Sequence, residues 1–157
     1  MEITLRPVEP ADYPTFLIHQ ADEVSRHMAA FGPKEVLDEA AHTARWERIL
    51  ALPDSVNRTI LADGEVVGNL MKFVMFDENE LAYWIGREHW GRGIATQALR
   101  LFLQEYRHRP LGARAVKDNL GSIRVLEKCG FVLVGEERSF SDIRNADVDE
   151  VIMRLEH

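Results

Sequence analysis

Residues 88–106 read EHWGRGIATQALRLFLQEY, a glycine-bearing turn that runs straight into an amphipathic helix. From Ile94 the apolar residues Ala95, Ala98, Leu99, Phe102, Leu103 and Tyr106 recur at helical spacing, while Arg100, Gln104, Glu105 and Arg107 take the other side. Arg107, His108 and Arg109 suit the negative end of the helix, and Pro110 halts it. At the other end, the first turn of a helix carries four N–H groups without intrahelical partners and a partial positive charge. Gly91 and Gly93 let an anion come close to those groups, so the junction reads as a phosphate site. The plainer reading is that two glycines only shape a tight strand-to-helix connection.

Two familiar phosphate loops can be tested against the chain. A P-loop needs Gly-Lys-Ser/Thr, which occurs nowhere in it. A dinucleotide fingerprint needs a third glycine where Thr96 stands, although Asp118 lies near the usual place of a ribose-binding acid, and this remains a rival.

The 157 residues suit one domain spanning 1–157, which buries roughly 70% of its unfolded surface and needs no disulfide or metal for stability. Cys129 is the only cysteine, which excludes an intrachain disulfide and a cysteine-rich zinc site. No run approaches the ~18 apolar residues of a membrane span, and MEITLRPVEP lacks the apolar run of a signal peptide. We therefore expect a cytoplasmic protein that does not engage a membrane. A net charge of −7 disfavours binding nucleic acid through its phosphates and would favour a cationic or amine-bearing partner. His19, His27 and His42 lack metal-ligand spacing, and no metal is expected.

Residues 1–8 alternate as a strand, and Pro10 and Pro14 introduce a helix containing Phe16, Leu17 and Ile18. A looser stretch is expected up to Pro33, then a helix over 34–52 with Leu37, Ala40, Ala41 and Ala44 inward. Residues 59–62 and 65–76 are β-rich runs joined by Asp63-Gly64, a type I′ hairpin signal. A turn at 77–79 leads to a third strand, 80–86, entering the glycine turn. Residues 113–117 predict a strand, 119–129 a helix with Gly130 just beyond it, and 131–134 and 148–155 two closing strands separated by a polar loop, 136–147. The fold class is α+β, with a mixed, mostly antiparallel central sheet flanked by helices in the order β-α-α-β-β-β-α-β-α-β-β. Exposed sheet edges leave room for a homodimer.

This order, the opening LRPVEPAD, the strand AYWIG, the turn HWGRGIATQAL and the later NLGSIRVLEKCGF resemble the GCN5-related N-acetyltransferases (GNAT) over nearly the whole chain. Within that superfamily they look like the RimJ/RimL type, the ribosomal-protein alanine acetyltransferases. The resemblance implies an acyl-CoA N-acyltransferase fold and acetyl-CoA as co-substrate. It places the pyrophosphate on the N–H groups of Gly91, Arg92, Gly93, Ile94, Ala95 and Thr96, and the pantetheine arm against the backbone near Trp84 and Ile85, with Asn119 on the far side. Trp90 stands where the general pattern has Gln or Arg, so side-chain help falls to Arg92. Leu126 stands where many members place a tyrosine that protonates the departing thiolate. Ser122 is the nearest matching hydroxyl, and it would equally serve as a helix N-cap.

Acyl transfer to an amine needs a neutral nitrogen, a donor to the carbonyl oxygen, which the backbone N–H near Ile85 would supply, and a tolerable leaving thiolate. At neutral pH an α-amine of pKa ~7.7–8.0 costs about 1 kcal/mol to deprotonate, against ~4.6 kcal/mol for a lysine-type amine. Glu80 is the candidate base, against the alternative of an exposed strand-end carboxylate, with Asp142 and Asp149 in reserve. Tyr83 and Trp84 point to opposite faces, so one of them lines the acceptor cleft. Cys129 reads as packing rather than as an acetyl carrier, which leaves direct attack by the amine in a ternary complex. The other class in play is a non-catalytic acyl-CoA-binding module.

Overall fold

Alternating apolar residues build a sheet whose two faces are covered by different helices. The computed structural model describes all 157 residues. The strands are β1 (Ile3–Pro7), β2 (Val56–Ala62), β3 (Glu65–Met75), β4 (Glu78–Ile85), β5 (Leu111–Val116), β6 (Val132–Ser141) and β7 (Ala146–Leu155). The helices are α1 (Tyr13–Ala21), α2 (Glu23–Ala29), α3 (Glu39–Ala51), α4 (Ile94–Glu105) and α5 (Leu120–Lys128). All seven strands join one sheet in the order β1-β2-β3-β4-β5-β7-β6. Every neighbouring pair is antiparallel except β4 with β5. That single parallel pair meets at only two positions, Glu80 with Gly112 and Leu81 with Ala113, after which the strands part. A dinucleotide-binding sheet is parallel, so that rival reading fails.

On one face, Ile94, Ala98, Leu99 and Phe102 of α4 and Leu126 of α5 pack onto Leu81, Ile85, Leu111, Ala113, Val151 and Met153 to form the main core. On the other face, Tyr13 and Phe16 of α1 and Trp46 of α3 form a smaller cluster over Val66 and Met71. Ala30, just beyond α2, packs on Val116 and Val148. Asp12, buried before α1, accepts both Arg6 guanidinium nitrogens at 2.8 Å and the Thr59 hydroxyl at 2.6 Å, which ties β1, β2 and the start of α1 together. No helix is long and apolar enough to cross a membrane.

The structure corrects four sequence expectations. The stretch before Pro33 contains α2, capped by the Asp22 carboxylate, which accepts from Ser25 N–H at 2.9 Å, and ended by Ala30 in the left-handed region (φ 65°). The next helix starts at Glu39 rather than 34, because Asp38 caps it. With that start its buried face is His42 and Trp46, while Ala40 and Ala41 face solvent and Leu37 lies outside it. The turn between β3 and β4 is Phe76-Asp77, both at positive φ, and β4 begins at Glu78. Residues 136–141 are strand, not loop. As part of the edge strand β6 they need bury only one side, so Glu136, Glu137 and Arg138 are compatible with pairing. The Asp63-Gly64 hairpin is as expected, with both residues at positive φ (49° and 82°).

Trp46 stacks on Tyr13 and lies 5.1 Å from the Phe16 ring. Trp46→Ala should therefore cost about 3–5 kcal/mol in urea unfolding, against less than ~0.5 kcal/mol for the half-exposed Leu50→Ala.

Candidate active site

Gly91 and Gly93 sit at φ 78° and 75°, a region that other residues enter only with strain, and no side chain crowds either of them. This left-handed pair swings the chain from Trp90 into α4 with the first-turn amides facing outward. The N–H groups of Gly91, Arg92, Gly93, Ile94, Ala95 and Thr96 make no hydrogen bond to backbone or side chain, and the first bond of the junction runs from Gln97 N–H to the Gly93 carbonyl at 3.1 Å. α4 has no side-chain cap and no acidic residue in its first turn. Six donors are thus left for an anion, and no carboxylate competes for them. At the far end, Arg109 donates to the carbonyls of Leu103 and Tyr106 and Arg107 to that of Gln104.

The strand leading into this turn is open on one side. Peptide groups alternate sides along a strand, and Gly86 N–H donates to Val67 of β3 at 2.9 Å, so the Ile85 peptide groups face the gap left by β5. The Ile85 carbonyl accepts from the Trp90 indole at 2.8 Å. Trp84 differs. Its carbonyl lies against Gly68 on β3, and its indole donates to the His19 carbonyl at 3.2 Å. Of the two residues expected beside the pantetheine arm, Ile85 faces the opening and Trp84 braces α1.

Tyr83 points to the opposite face from Trp84 and meets Ser122 of α5, hydroxyl to hydroxyl, at 2.9 Å. Burial pushes the Tyr83 phenol up to about 12, with the Ser122 bond opposing. Asn119, not Ser122, caps α5: its carbonyl oxygen accepts from Ser122 N–H at 3.2 Å, and its amide donates to the Met28 carbonyl at 3.4 Å. The Ser122 hydroxyl is therefore committed to Tyr83 rather than to capping. Sequence reading missed this pair because it joins residues 39 positions apart; the one available signal was the i, i+2 alternation that sends Tyr83 to the α5 side. Leu126 is core. Cys129 is half-buried, its thiol directed at the Thr96 carbonyl at 3.8 Å, and burial pushes it up, away from a reactive thiolate.

On the α1–α2 face, β4 presents Glu80, Ala82 and Trp84 in succession. Ala82 is exposed although its strand is central, so a cleft opens there. Glu80 is not an exposed strand-end group: it is 5% exposed, with Arg114 Nε 3.5 Å away. Burial pushes its carboxyl up and Arg114 pulls it partly back. Arg114 also reaches Glu137 at 3.0 Å and Glu150 at 3.9 Å. Room for the Glu80 carboxylate exists because residue 112 is glycine, since a Cβ there would lie 1.8 Å from Glu80 Oε2.

Of the reserve bases, Asp149 projects from the other face of β7 and pairs with Arg138 at 3.0 Å, away from the cleft. Asp142 is exposed in the β6–β7 turn. Arg144 holds that turn in place by donating to the His27 carbonyl at 2.8 Å and by a two-pronged pair with Asp118 at 2.7 and 3.0 Å. Asp118, the acid of the dinucleotide rival, is thus engaged in holding the cleft wall.

The acetyltransferase (GNAT) domain model matches residues 2–132. The chain belongs to the GNAT acetyltransferase family. It is 26% identical to the uncharacterized N-acetyltransferase p20 of Bacillus licheniformis, across 98% of this chain and 92% of that one. It shares the fold of the ribosomal-protein-alanine N-acetyltransferase from Brucella melitensis (TM-score 0.83, 21% identity, 98% and 99% of the two chains). The microcin C7 self-immunity acetyltransferase MccE, solved with acetyl-CoA and AMP, is also similar (TM-score 0.82, 19% identity, 99% and 93%). The mostly antiparallel sheet with its one splayed parallel pair is the acyl-CoA N-acyltransferase fold of this GNAT domain.

Gly112→Ala should force the Glu80 side chain out of its niche and destabilise the domain by about 1–3 kcal/mol, the range for overpacking. In a Glu80→Ala background the same substitution should cost much less. A double-mutant cycle by chemical denaturation reads the coupling, and additivity would show that the two residues do not share this space.

Proposed function

We propose that this GNAT domain transfers an acetyl group from acetyl-CoA to a primary α-amine, by direct attack within a ternary complex. The observation that carries the proposal is the row of six unpartnered amides at residues 91–96. Charge-assisted hydrogen bonds contribute about 1.5–3 kcal/mol each, so three of them outweigh the ~1 kcal/mol of the helix dipole in holding the pyrophosphate. The pantetheine arm would continue along the open side of β4 at Ile85, with the thioester beside the Tyr83–Ser122 pair.

That pair suits hydrogen bonding better than proton transfer. A phenol near 12 would give its proton to a thiolate of conjugate pKa ~8.5 only at a cost of about 5 kcal/mol. Both hydroxyls therefore stay protonated; one proton is spent in the bond between them, and the other is the donor that would stabilise the leaving sulfur, in the place of the acid that Leu126 lacks. Cys129 stays a thiol, which agrees with direct transfer.

Glu80 would accept the amine proton, directly or through a water in the cleft above Ala82. A carboxyl pushed up by burial is a better base than an ordinary glutamate. It is also a weaker one than a lysine-type amine requires, which favours α-amines and, with the sequence resemblance, a RimJ/RimL-type acceptor such as a peptide N-terminus. Asn119 would act indirectly, by capping α5 and so fixing Ser122. Arg92, exposed in the turn, would supply charge to the phosphates.

Thiol release from acetyl-CoA across peptides with different first residues tests the function. The rate should depend strongly on the first residue, and a flat response with CoA bound would instead indicate an acyl-CoA-binding module.

Glu80→Gln should lower the rate ~10²–10⁴-fold, the range for removing a general base. Because burial raises the Glu80 carboxyl, the native enzyme should lose activity on acidification above the ordinary glutamate value, as the base takes up a proton. Glu80→Gln should abolish that acid limb, and an unchanged pH–rate profile would remove Glu80 from the chemistry.

A further inference from the structure

Three potential ligands from two distant segments converge where α1 crosses the connection between β4 and α4. His19 of α1 and Glu88 and His89 of that connection place a ring nitrogen or a carboxylate oxygen each within 4.8 Å of one another. Both imidazoles are more than nine-tenths buried, at 5% and 8% exposed, and lie edge to face with centroids 6.4 Å apart. His89 Nε2 is 3.2 Å from Glu88 Oε1, whereas His19 Nδ1 and His89 Nδ1 are buried with no hydrogen-bond partner.

A buried imidazole nitrogen without a partner is costly, and such orphans are few in native proteins. His19 Nδ1 has no partner of its own, whereas His89 faces Glu88 through Nε2 and would offer an ion that nitrogen. The backbone also makes room for the rings, since a Cβ at Gly86 would stand 2.5 Å from His19 Nε2.

From this geometry we infer a divalent-cation site formed by His19, Glu88 and His89. Two imidazoles and one carboxylate are the donor set of zinc and its first-row neighbours, with a fourth position left to water. Tetrahedral bonds of ~2.0–2.2 Å put neighbouring ligand atoms about 3.4 Å apart. The 3.2 Å Glu88–His89 separation already matches that edge, and the remaining gap, at most 4.8 Å, closes with a small turn of the His19 ring. Beside the site, α1 is also held by the Trp84 indole of β4 on the His19 carbonyl, and the connection is tied to the end of α1 by Arg87 on Asp22 at 3.1 Å. A bound ion would clamp α1, a wall of the cleft, to the segment that leads one residue later into the glycine turn. Sequence spacing does not expose this site, because 69 positions separate Glu88 from His19.

The test is titration of the chelator-treated, tag-free full chain with Co²⁺, followed by visible absorption, and competition with Zn²⁺. The expected result is one saturable equivalent with a four- or five-coordinate spectrum, displaced by Zn²⁺, and a rise in Tm with Zn²⁺. Affinity should fall at least tenfold in His89→Gln and His19→Gln, and also in Glu88→Ala. Glu88 is largely exposed, so that variant does not endanger folding. His108→Gln, at an exposed histidine elsewhere, should bind as the parent does. Absence of a saturable equivalent would overturn the site, as would undiminished binding by a Glu88→Ala/His89→Gln double variant that retains the parent's circular dichroism.

Discussion

Parting β4 from β5 in the middle of a sheet is the constraint on which the rest depends. Two parallel contacts hold the strands together at Glu80 and Leu81, and beyond them the Ile85 peptide groups that face β5 have no strand to pair with. Unpaired peptide groups in a sheet are costly, on the order of 1–3 kcal/mol each, so such a gap persists only where the surroundings fix both strands. Here one continuous core crosses the gap, with Leu81 and Ile85 on one side, Ala113 and Ala115 on the other, and Leu99 and Leu126 beneath. The cleft above Ala82, the Tyr83–Ser122 bridge and the mouth of the α4 turn all open from this single separation.

Charge inside the cleft follows the same logic of stability set against function. A carboxyl raised by burial favours its protonated native form, so Glu80 destabilises the fold as pH climbs through its elevated value. Arg114 moderates that cost without removing it, being shared with Glu137 and Glu150. Asp12 is the opposite case. Burial acts to raise it, but the bonds from Arg6, Thr59 and the Glu9 amide prevail and hold its carboxyl below the usual range. Its contribution to stability is therefore present at neutral pH and lost on acidification. One buried acid is fully partnered and ties the structure together; the other is left partly in deficit beside the cleft.

Much of this was readable from local chemistry. The Asp63-Gly64 hairpin, the apolar stripe of α4, the glycine pair before it and Gly130 after α5 each follow from one residue's conformational preference or a short periodicity. α2 is not legible in the sequence because seven residues offer little periodicity and its cap, Asp22, stands in a mixed segment. A helical period begun at 34 passes over the Asp38 cap and puts alanines where Trp46 belongs, so the α3 face differs from that expectation. At the site, the glycine turn with its unpartnered amides is local in sequence and legible there. The niche that Gly112 makes for Glu80, the clamp of Arg144 on Asp118 and the hydroxyl bridge to Ser122 are meetings between distant segments, and no single-chain pattern records them.

The indole of Trp90 has an effect on ligand polarity. By bonding the Ile85 carbonyl it occupies the acceptor that this residue turns to the gap and leaves the Ile85 N–H there as a donor. A guest lying along this edge meets hydrogen-bond donors first at Ile85 and then throughout residues 91–96. The edge is chemically one-signed: it offers donors and few free acceptors, so carbonyl and phosphoryl oxygens complement it, whereas an N–H brought to Ile85 would meet another N–H.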